Sequence, residues 1–309
     1  MLNIQKNVNL RKFTTLGIGG DAKLLIEIKS LRGALKAFEY VSGQSFPWVV
    51  IGEGSDLLVS DNGFDGIVLA NRMNYWGVKS GKTILVGAGA NLNEFVDFAN
   101  RQGVAGFENL AGIPGTVGGA VYGNAGAYGQ TICDQLISVN SMLGKFTKEE
   151  CKFGYRDSIF KHKQNFLLEV EFSFDSKHTY SEQFSQKLQS QSHDIRNKRR
   201  LKYPPELKCP GSFFKNVIAS DLSVKILRNI PVDKVINGKI PSGYLLAQIG
   251  ACGMRVGGAR VAGYHGNLII NDGKATATEI WQLAMTLKSK VEDKFGISLE
   301  PEVQMLGKI

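Results

Sequence analysis

Seven of the nineteen residues from Ala111 to Gly129 are glycine: Gly112, Gly115, Gly118, Gly119, Gly123, Gly126 and Gly129. A backbone so bare lets something approach it closely, because glycine reaches angles closed to other residues and lets a ligand lie on the main chain. Consecutive N–H groups can then converge on an anion such as a pyrophosphate. A flexible linker is the plain alternative, but linkers are rich in serine. Here Ile113, Val117, Val121 and Tyr122 recur at regular spacing and Pro114 stiffens the entry, so the tract reads as a platform.

The chain around it has the composition of a globular protein, with 309 residues, 43% hydrophobic and 21% charged. That length suits about two domains. No run approaches the roughly 20 apolar residues of a membrane helix, and Met1 to Lys6 lacks an apolar signal core. A cytoplasmic protein without a membrane partner is expected. Cys133, Cys151, Cys209 and Cys252 are far apart and form no C-x-x-C pair, which suits a reducing compartment. His162, His178, His193 and His265 show no ligand spacing, so no metal site is expected.

A net charge of +9 fits either nucleic acid or a small, multiply anionic ligand such as a nucleotide. The one dense basic cluster, Arg196 to Lys202, holds no interleaved aromatic before Tyr203. It reads as a solvated helix end favoured by the helix dipole, or as an attraction for an anionic ligand.

From residue 22 to 90, β-rich runs at Leu24 to Ile28, Trp48 to Ile51, Leu57 to Val59, Ile67 to Ala70 and Thr83 to Val86 alternate with turn signals. Helical spacing predicts helices over Ser30 to Ser42 and Asn91 to Gln102, the second stopped by Gly103. Strands are expected at Gln135 to Met142 and Asn165 to Phe174, then an exposed helix over 176 to 200 anchored by Phe184 and Leu188. Pro204 and Pro205 mark a boundary near 200. Beyond it come a helix over Ser220 to Asn229, strands around Leu268 to Ile270, and a helix from about Thr278 to Phe295 closed by Gly296, with Thr276 or Thr278 as its N-cap.

Several nucleotide motifs nearly fit. Gly52-Glu53-Gly54-Ser55-Asp56-Leu57 and Gly87-Ala88-Gly89-Ala90-Asn91-Leu92 approach G-x-G-x-x-G, each with leucine for the third glycine, and the first runs on into a strand. The dinucleotide fingerprint must open a helix. Gly77 to Thr83 resembles a P-loop one residue short and precedes a strand. Rossmann and P-loop assignments are rejected on that context. Gly52 to Ser55 instead reads as a tight turn offering N–H and hydroxyl donors to a large flat cofactor.

Three segments place polar groups beside glycine, aromatic or apolar residues. Gly154-Tyr155-Arg156-Asp157-Ser158 sets a guanidinium in a turn, either as an ion pair with Asp157 or as a bidentate clamp for a carboxylate. Gly211-Ser212-Phe213-Phe214-Lys215-Asn216 presents a hydroxyl as a turn serine or a proton donor. Without a G-x-S-x-G elbow a hydrolase triad is not supported. Leu299-Glu300-Pro301-Glu302-Val303 puts two carboxylates on one face of an extended strand, for acid or base work or as a charged edge.

Taken in order, these segments resemble the UDP-N-acetylenolpyruvoylglucosamine reductase family of bacterial cell-wall synthesis. The likeness covers nearly the whole chain. Thr15 to Gly20, Ile51 to Leu58, Gly112 to Ala120, Phe153 to Lys161, Gly211 to Asn216 and Leu299 to Val303 follow the family's order. The resemblance implies an α+β chain, with an FAD-binding fold of the vanillyl-alcohol-oxidase type and a C-terminal α+β substrate domain. Its divisions would be 1–72 and 73–200 for the flavin, 201–298 for substrate, and a strand near 299–309 packing back on the first.

By the same resemblance, FAD would meet Gly52, Glu53, Gly54, Ser55, Asp56, Gly112, Ile113, Pro114, Gly115, Thr116, Gly118, Gly119, Ala120, Gly123 and Asn124. NADPH would reduce it, and UDP-N-acetylglucosamine enolpyruvate would then take NADP's place as the small-molecule partner. Hydride would pass from the flavin to the terminal enolpyruvyl carbon and Ser212 would protonate its neighbour. Arg156 and Glu302 would stabilise the enol-like carboxylate, while Tyr155, Tyr203, Lys215 and Asn216 would bind substrate. A monomer without nucleic acid is expected. Asp56 stands where the family usually has asparagine, Val217 replaces a usual proline and Ala247 a usual acidic residue. Alternatives of other classes are a flavin oxidase or dehydrogenase on the same fold, and a basic nucleic-acid-binding module.

Overall fold

The computed structural model describes residues 2–80, 82–174 and 181–309. It divides into two units, each discontinuous in sequence. The first comprises Met1–Val8, Ala22–Glu53 and Asp65–Pro204, the second Asn9–Asp21, Gly54–Phe64 and Pro205–Ile309.

In the first unit the β-rich runs build two sheets. One has the order Ile4–Asn9, Asp21–Ile28, Phe64–Asn71, Trp48–Ile51, and its last two strands run parallel with Trp48 opposite Ile67. The Leu31–Ser42 helix starts at Ser30, whose hydroxyl accepts the Gly33 N–H, a cap that satisfies one otherwise orphaned donor. It buries Ala34, Ala37 and Val41 with the sheet residues Ile26, Ile28, Ile67 and Leu69.

The second sheet is antiparallel, ordered Gly144–Thr147, Leu136–Ser141, Leu167–Ser173, Thr83–Gly87, Trp76–Ser80. The P-loop-like segment therefore spans two strands of a hairpin, with residue 81 outside the described residues. Against this sheet packs the Leu92–Arg101 helix, capped by Asn91 and followed by Gly103 at φ +69°. Phe95, Phe107 and Phe172 meet there with ring centroids 5.0 to 5.4 Å apart, close enough for edge and stacked contacts.

The long polar helix is Glu182–Lys202. Residues 176–180 of its expected span, with His178, lie outside the described residues. Leu188 is buried as expected, but Phe184 is only half-buried, and Ser185, Ser192 and Ile195 complete the inward stripe. Hydrogen bonds replace apolar contact along it. Asn100 Nδ2 donates to Ser192 Oγ at 2.7 Å, and Ser185 Oγ donates to the Arg101 carbonyl at 3.2 Å.

In the second unit, Leu57–Val59 pairs in parallel with Gln304–Leu306. A three-stranded sheet of Arg255–Val256, Ala259–Ala262 and His265–Asn271 is covered by the Ala277–Phe295 helix. That helix opens with a capping box between Thr276 and Glu279 and ends at Gly296, φ +67°. Ile280, Leu283, Ala284, Leu287 and Val291 form its buried face.

Two expectations fail here. The helix foreseen over Ser220 to Asn229 shrinks to Val224–Leu227, because the preceding turn tightens into a 3-10 turn at Ala219–Asp221. Leu299 to Val303 is no regular strand: it touches Phe214 through an isolated bridge at Pro301, and strand geometry begins at Gln304. Proline has no N–H to continue a ladder. Among the described residues no helix is long and apolar enough to cross a membrane.

Glu171, on the central strand of the antiparallel sheet, is buried and bonded by three side chains. Lys145 Nζ donates to it at 2.7 Å, Lys79 bonds its other oxygen and Ser138 Oγ donates at 2.7 Å. These three partners, Lys145 foremost, hold its carboxyl down at about 2. An unfolded glutamate titrates near about 4.3. The stabilisation is therefore complete above that value and is lost as pH falls toward about 2. Glu171→Gln is expected to cost on the order of 1–2 kcal/mol at neutral pH, since both lysines are half-exposed. Denaturant melts at falling pH should show the wild-type advantage over Glu171→Gln shrinking through that window.

Candidate active site

The glycine tract is not the open anion nest that its composition suggests. Thr116 caps a short helix, Val117–Tyr122, by accepting the Gly119 N–H. Val117 N–H donates to Ala90 O at 2.8 Å and Gly118 N–H to Ala88 O at 2.7 Å. Gly112 N–H donates to Asn93 Oδ1 at 2.6 Å and Gly115 N–H to Glu53 Oε2 at 3.2 Å. These donors are consumed within the chain.

Several glycines here answer to neighbouring atoms of the chain itself. A Cβ on Gly118 would lie 2.7 Å from Ala88 O, and one on Gly52 would lie 2.4 Å from Thr116 Oγ1. Gly54, at φ +64°, would put a Cβ 1.9 Å from Phe13 O. The Gly87-x-Gly89 segment does join a strand to a helix, but a Cβ on Gly89 would lie 2.3 Å from the Met73 nitrogen. Its glycines serve chain packing, and the antiparallel strand beside it is not that of a dinucleotide βαβ unit.

Gly119 and Gly123 behave differently. Gly119 is exposed and Gly123 half-exposed. A Cβ would approach Thr116 Oγ1 no closer than 3.3 Å at the first and Gly119 O no closer than 3.7 Å at the second. Four residues apart, they share one helix face, which presents bare backbone with room over it. Beside them Asn124 Oδ1 is buried without a hydrogen-bond partner. A bare face with a waiting acceptor fits a flat, hydrogen-bonding cofactor.

The same tract holds the arginine turn. Asn124 Nδ2 donates to Gly154 O at 2.7 Å, Ser158 Oγ donates to Tyr122 O at 2.6 Å, and Arg156 Nη2 donates to Gly126 O at 2.8 Å. Arg156 adopts φ +55°, a conformation an arginine keeps only when its surroundings impose it. Gly154 and Asp157 close the turn through paired backbone bonds of 3.0 and 3.3 Å. Burial tends to raise the Asp157 carboxyl, yet the hydrogen bond and charge of His162, 3.0 Å away, hold it below the ordinary value. Tyr155 lies against the guanidinium, its ring centroid 5.5 Å from Arg156 Cζ.

In the second unit, Ser212 leads into a segment pinned from two sides. Asn267, buried, makes a two-point bond with Phe214, accepting its N–H and donating to its carbonyl, both at 2.8 Å. On the other side Glu302 N–H donates to Phe213 O at 2.8 Å and Lys215 N–H to Glu300 O at 2.9 Å. Ser212 and Glu302 are thus brought into one backbone register, each adjoining or forming the Phe213 contact.

The two carboxylates divide. Glu300, with its side chain 69% exposed, takes Lys215 Nζ at 2.6 Å, so a phosphate at Lys215 would compete with it. Asn216 Oδ1 accepts the Ser242 N–H at 3.2 Å. In the 54–56 turn, Ser55 O accepts from Thr15 Oγ1 at 3.3 Å and Asp56 O from Gln304 N–H at 2.9 Å. Sequence reasoning missed Asn267 and Asn93, buried or half-buried amides with no motif around them.

A family model of an FAD-binding domain matches residues 22–147, and one of the UDP-N-acetylenolpyruvoylglucosamine reductase C-terminal domain matches residues 203–306. These matches define the class: an α+β oxidoreductase with an FAD-binding domain and a C-terminal reductase domain. A UDP-N-acetylenolpyruvoylglucosamine reductase of Solibacter usitatus is 39% identical over 99% of this chain and 97% of its own. One of Anoxybacillus flavithermus is 31% identical over 99% and 95%. The crystal structure of the reductase from Thermus caldophilus superposes with a TM-score of 0.74 at 28% identity, covering 99% of this chain and 100% of that one.

The chain belongs to the UDP-N-acetylenolpyruvoylglucosamine reductase family. It is an FAD-containing oxidoreductase that reduces UDP-N-acetylenolpyruvoylglucosamine in peptidoglycan synthesis.

If the bare helix face seats the cofactor, blocking it separates cofactor loss from fold loss. At Gly119→Leu the added Cβ meets only Thr116 Oγ1, at 3.3 Å, and the change replaces a poor helix former, so its stability should stay within about 1 kcal/mol of wild type. Its flavin absorbance per protein should fall sharply. Full flavin content with an unchanged melt would place the cofactor elsewhere.

Proposed function

We propose that Arg156, Ser212 and Glu302 carry the reduction. The observation that supports this most is the Glu302 N–H to Phe213 O bond of 2.8 Å, which sets the carboxylate's backbone beside the serine's own segment. FAD, when bound, supplies the hydride that adds to the terminal carbon of the enolpyruvyl double bond.

Hydride addition there throws negative charge onto the adjacent carbon and the attached carboxylate. The Arg156 guanidinium stabilises that carboxylate electrostatically, and its turn is fixed beforehand, so no reorganisation is needed at the moment of reaction. Glu302, in its protonated form, donates a hydrogen bond to the same developing charge. Ser212 Oγ gives its proton to the adjacent carbon, completing the lactyl ether, and recovers a proton from water. A serine hydroxyl is a weak acid, and an enolate-like carbon is basic enough to take its proton.

The cofactor's contacts are assigned to Gly52, Glu53, Gly54, Ser55 and Asp56 and to Gly112, Ile113, Pro114, Gly115, Thr116, Gly118, Gly119, Ala120, Gly123 and Asn124. Tyr155, Tyr203, Lys215 and Asn216 are assigned to substrate. Residues 1–72 and 73–200 serve the flavin and 201–298 the substrate. The enzyme works as a cytoplasmic monomer.

Ser212→Ala should leave NADPH-driven bleaching of the flavin at its wild-type rate. Reoxidation by UDP-N-acetylglucosamine enolpyruvate should slow by on the order of 10²–10⁴-fold, the usual worth of a positioned acid. Stopped-flow absorbance resolves the two half-reactions. Equal slowing of both would make Ser212 a structural residue.

A further inference from the structure

One charged side chain of the first unit has no use in that chemistry. Arg199 continues the inward stripe of the Glu182–Lys202 helix, following Leu188, Ser192 and Ile195 at four, three and four residues. Its Nε is buried and has no hydrogen-bond partner. Its Cδ lies where a side chain at Gly112 would go, 3.1 Å from an ideal Cβ, and its Cζ is 5.3 Å from the Tyr203 ring centroid. Arg196, one turn earlier, hydrogen-bonds Asp97. Among the described residues no carboxylate does the same for Arg199.

Burial above all, and the like charge of Arg156, pull the Arg199 guanidinium below its ordinary value, against the opposing influence of Tyr203 and Tyr128. Arginine nevertheless keeps its charge in proteins. A half-buried cation without a counter-charge is costly. An anion received there removes that cost. The planar fork of arginine suits carboxylate and phosphate oxygens.

We propose that Arg199 is an anion-binding residue of the reductase, which receives a carboxylate or phosphate oxygen of a bound ligand. This rests on the reductase reading above. The carboxylate would come from the enolpyruvyl substrate; the phosphate would come from FAD, NADPH or the uridine diphosphate.

Arg199→Met and Arg199→Lys decide the matter, with three affinities and one melt measured on each. For Arg199→Met, the affinity for one ligand should fall about thirtyfold or more, the scale for truncating one side of a buried charge pair. The melting temperature of the FAD-free protein should stay level or rise, because an uncompensated charge has gone. Loss confined to FAD assigns the cofactor phosphates, and loss confined to NADPH assigns that dinucleotide. Loss for the enolpyruvyl substrate but not for UDP-N-acetylglucosamine assigns the carboxylate; loss for both assigns the uridine diphosphate. Arg199→Lys, which keeps the charge without the fork, should recover part of the lost affinity, and it serves alone if the methionine variant does not fold. Unchanged affinities for all ligands, or a lower melting temperature of the FAD-free protein, would overturn the proposal and leave Arg199 a packing residue. Turnover of wild-type enzyme with the enolpyruvyl substrate tests the reductase reading separately.

Discussion

The Ala88 carbonyl lies where any side chain at position 118 would have to go. Gly118 permits the approach, and its N–H closes onto that oxygen at 2.7 Å, with Val117 N–H on Ala90 O beside it. This contact seats the Val117–Tyr122 helix, and the rest of the first unit's chemistry follows from it. From the end of the helix, Tyr122, Asn124 and Gly126 hold the 154–158 turn. Arg156 Nη2 is therefore held by a backbone carbonyl, in a turn that another backbone carbonyl and an amide side chain support. The glycine tract does more than bare a surface for a cofactor, because it also builds the support of the guanidinium.

The second unit solves a similar problem with an amide side chain. Ser212 lies in an irregular segment, and irregular backbone needs partners wherever it is buried. Asn267 supplies them by imitating a strand, one donor and one acceptor opposite Phe214. On the far side Pro301 lacks an N–H, so the bonds fall on its neighbours, Glu300 O and Glu302 N. Proline thereby determines which residues of the C-terminal stretch register against the serine segment. It also separates the two glutamates, one engaging Lys215 through its carboxylate and the other bonding Phe213 O through its backbone N–H.

Regular elements were legible because local chemistry decides them. Ser30, Asn91 and Thr276 cap helices that their hydrophobic spacing predicts, and Gly103 and Gly296 take the left-handed angles that end them. The glycine tract was legible as a close approach but not as to what approaches, since a carbonyl and a ligand ask the same of the sequence. Within it the helix was hidden, because glycine is a poor helix former and six residues give no periodicity. The two-residue alternation of Glu300 and Glu302 misled for a related reason: a period says nothing about which partner each side chain finds.

The basic cluster shows how far a period can carry the argument when buried neighbours are added. As composition, Arg196 to Lys202 is one patch of charge. As a helix, it splits. Lys198 and Arg200 are exposed, whereas Arg196 and Arg199, three residues apart, face inward. The excess positive charge of the chain is thus no uniform field. Lys79 and Lys145 are engaged by Glu171, Arg196 by Asp97 and Lys215 by Glu300, each a local neutralisation that adds little to attraction at long range. Recognition of a multiply charged ligand then depends on guanidinium groups held at fixed angles rather than on net charge, and burial is what makes such groups selective: it strengthens the interaction with an anion and makes the cation costly to leave bare.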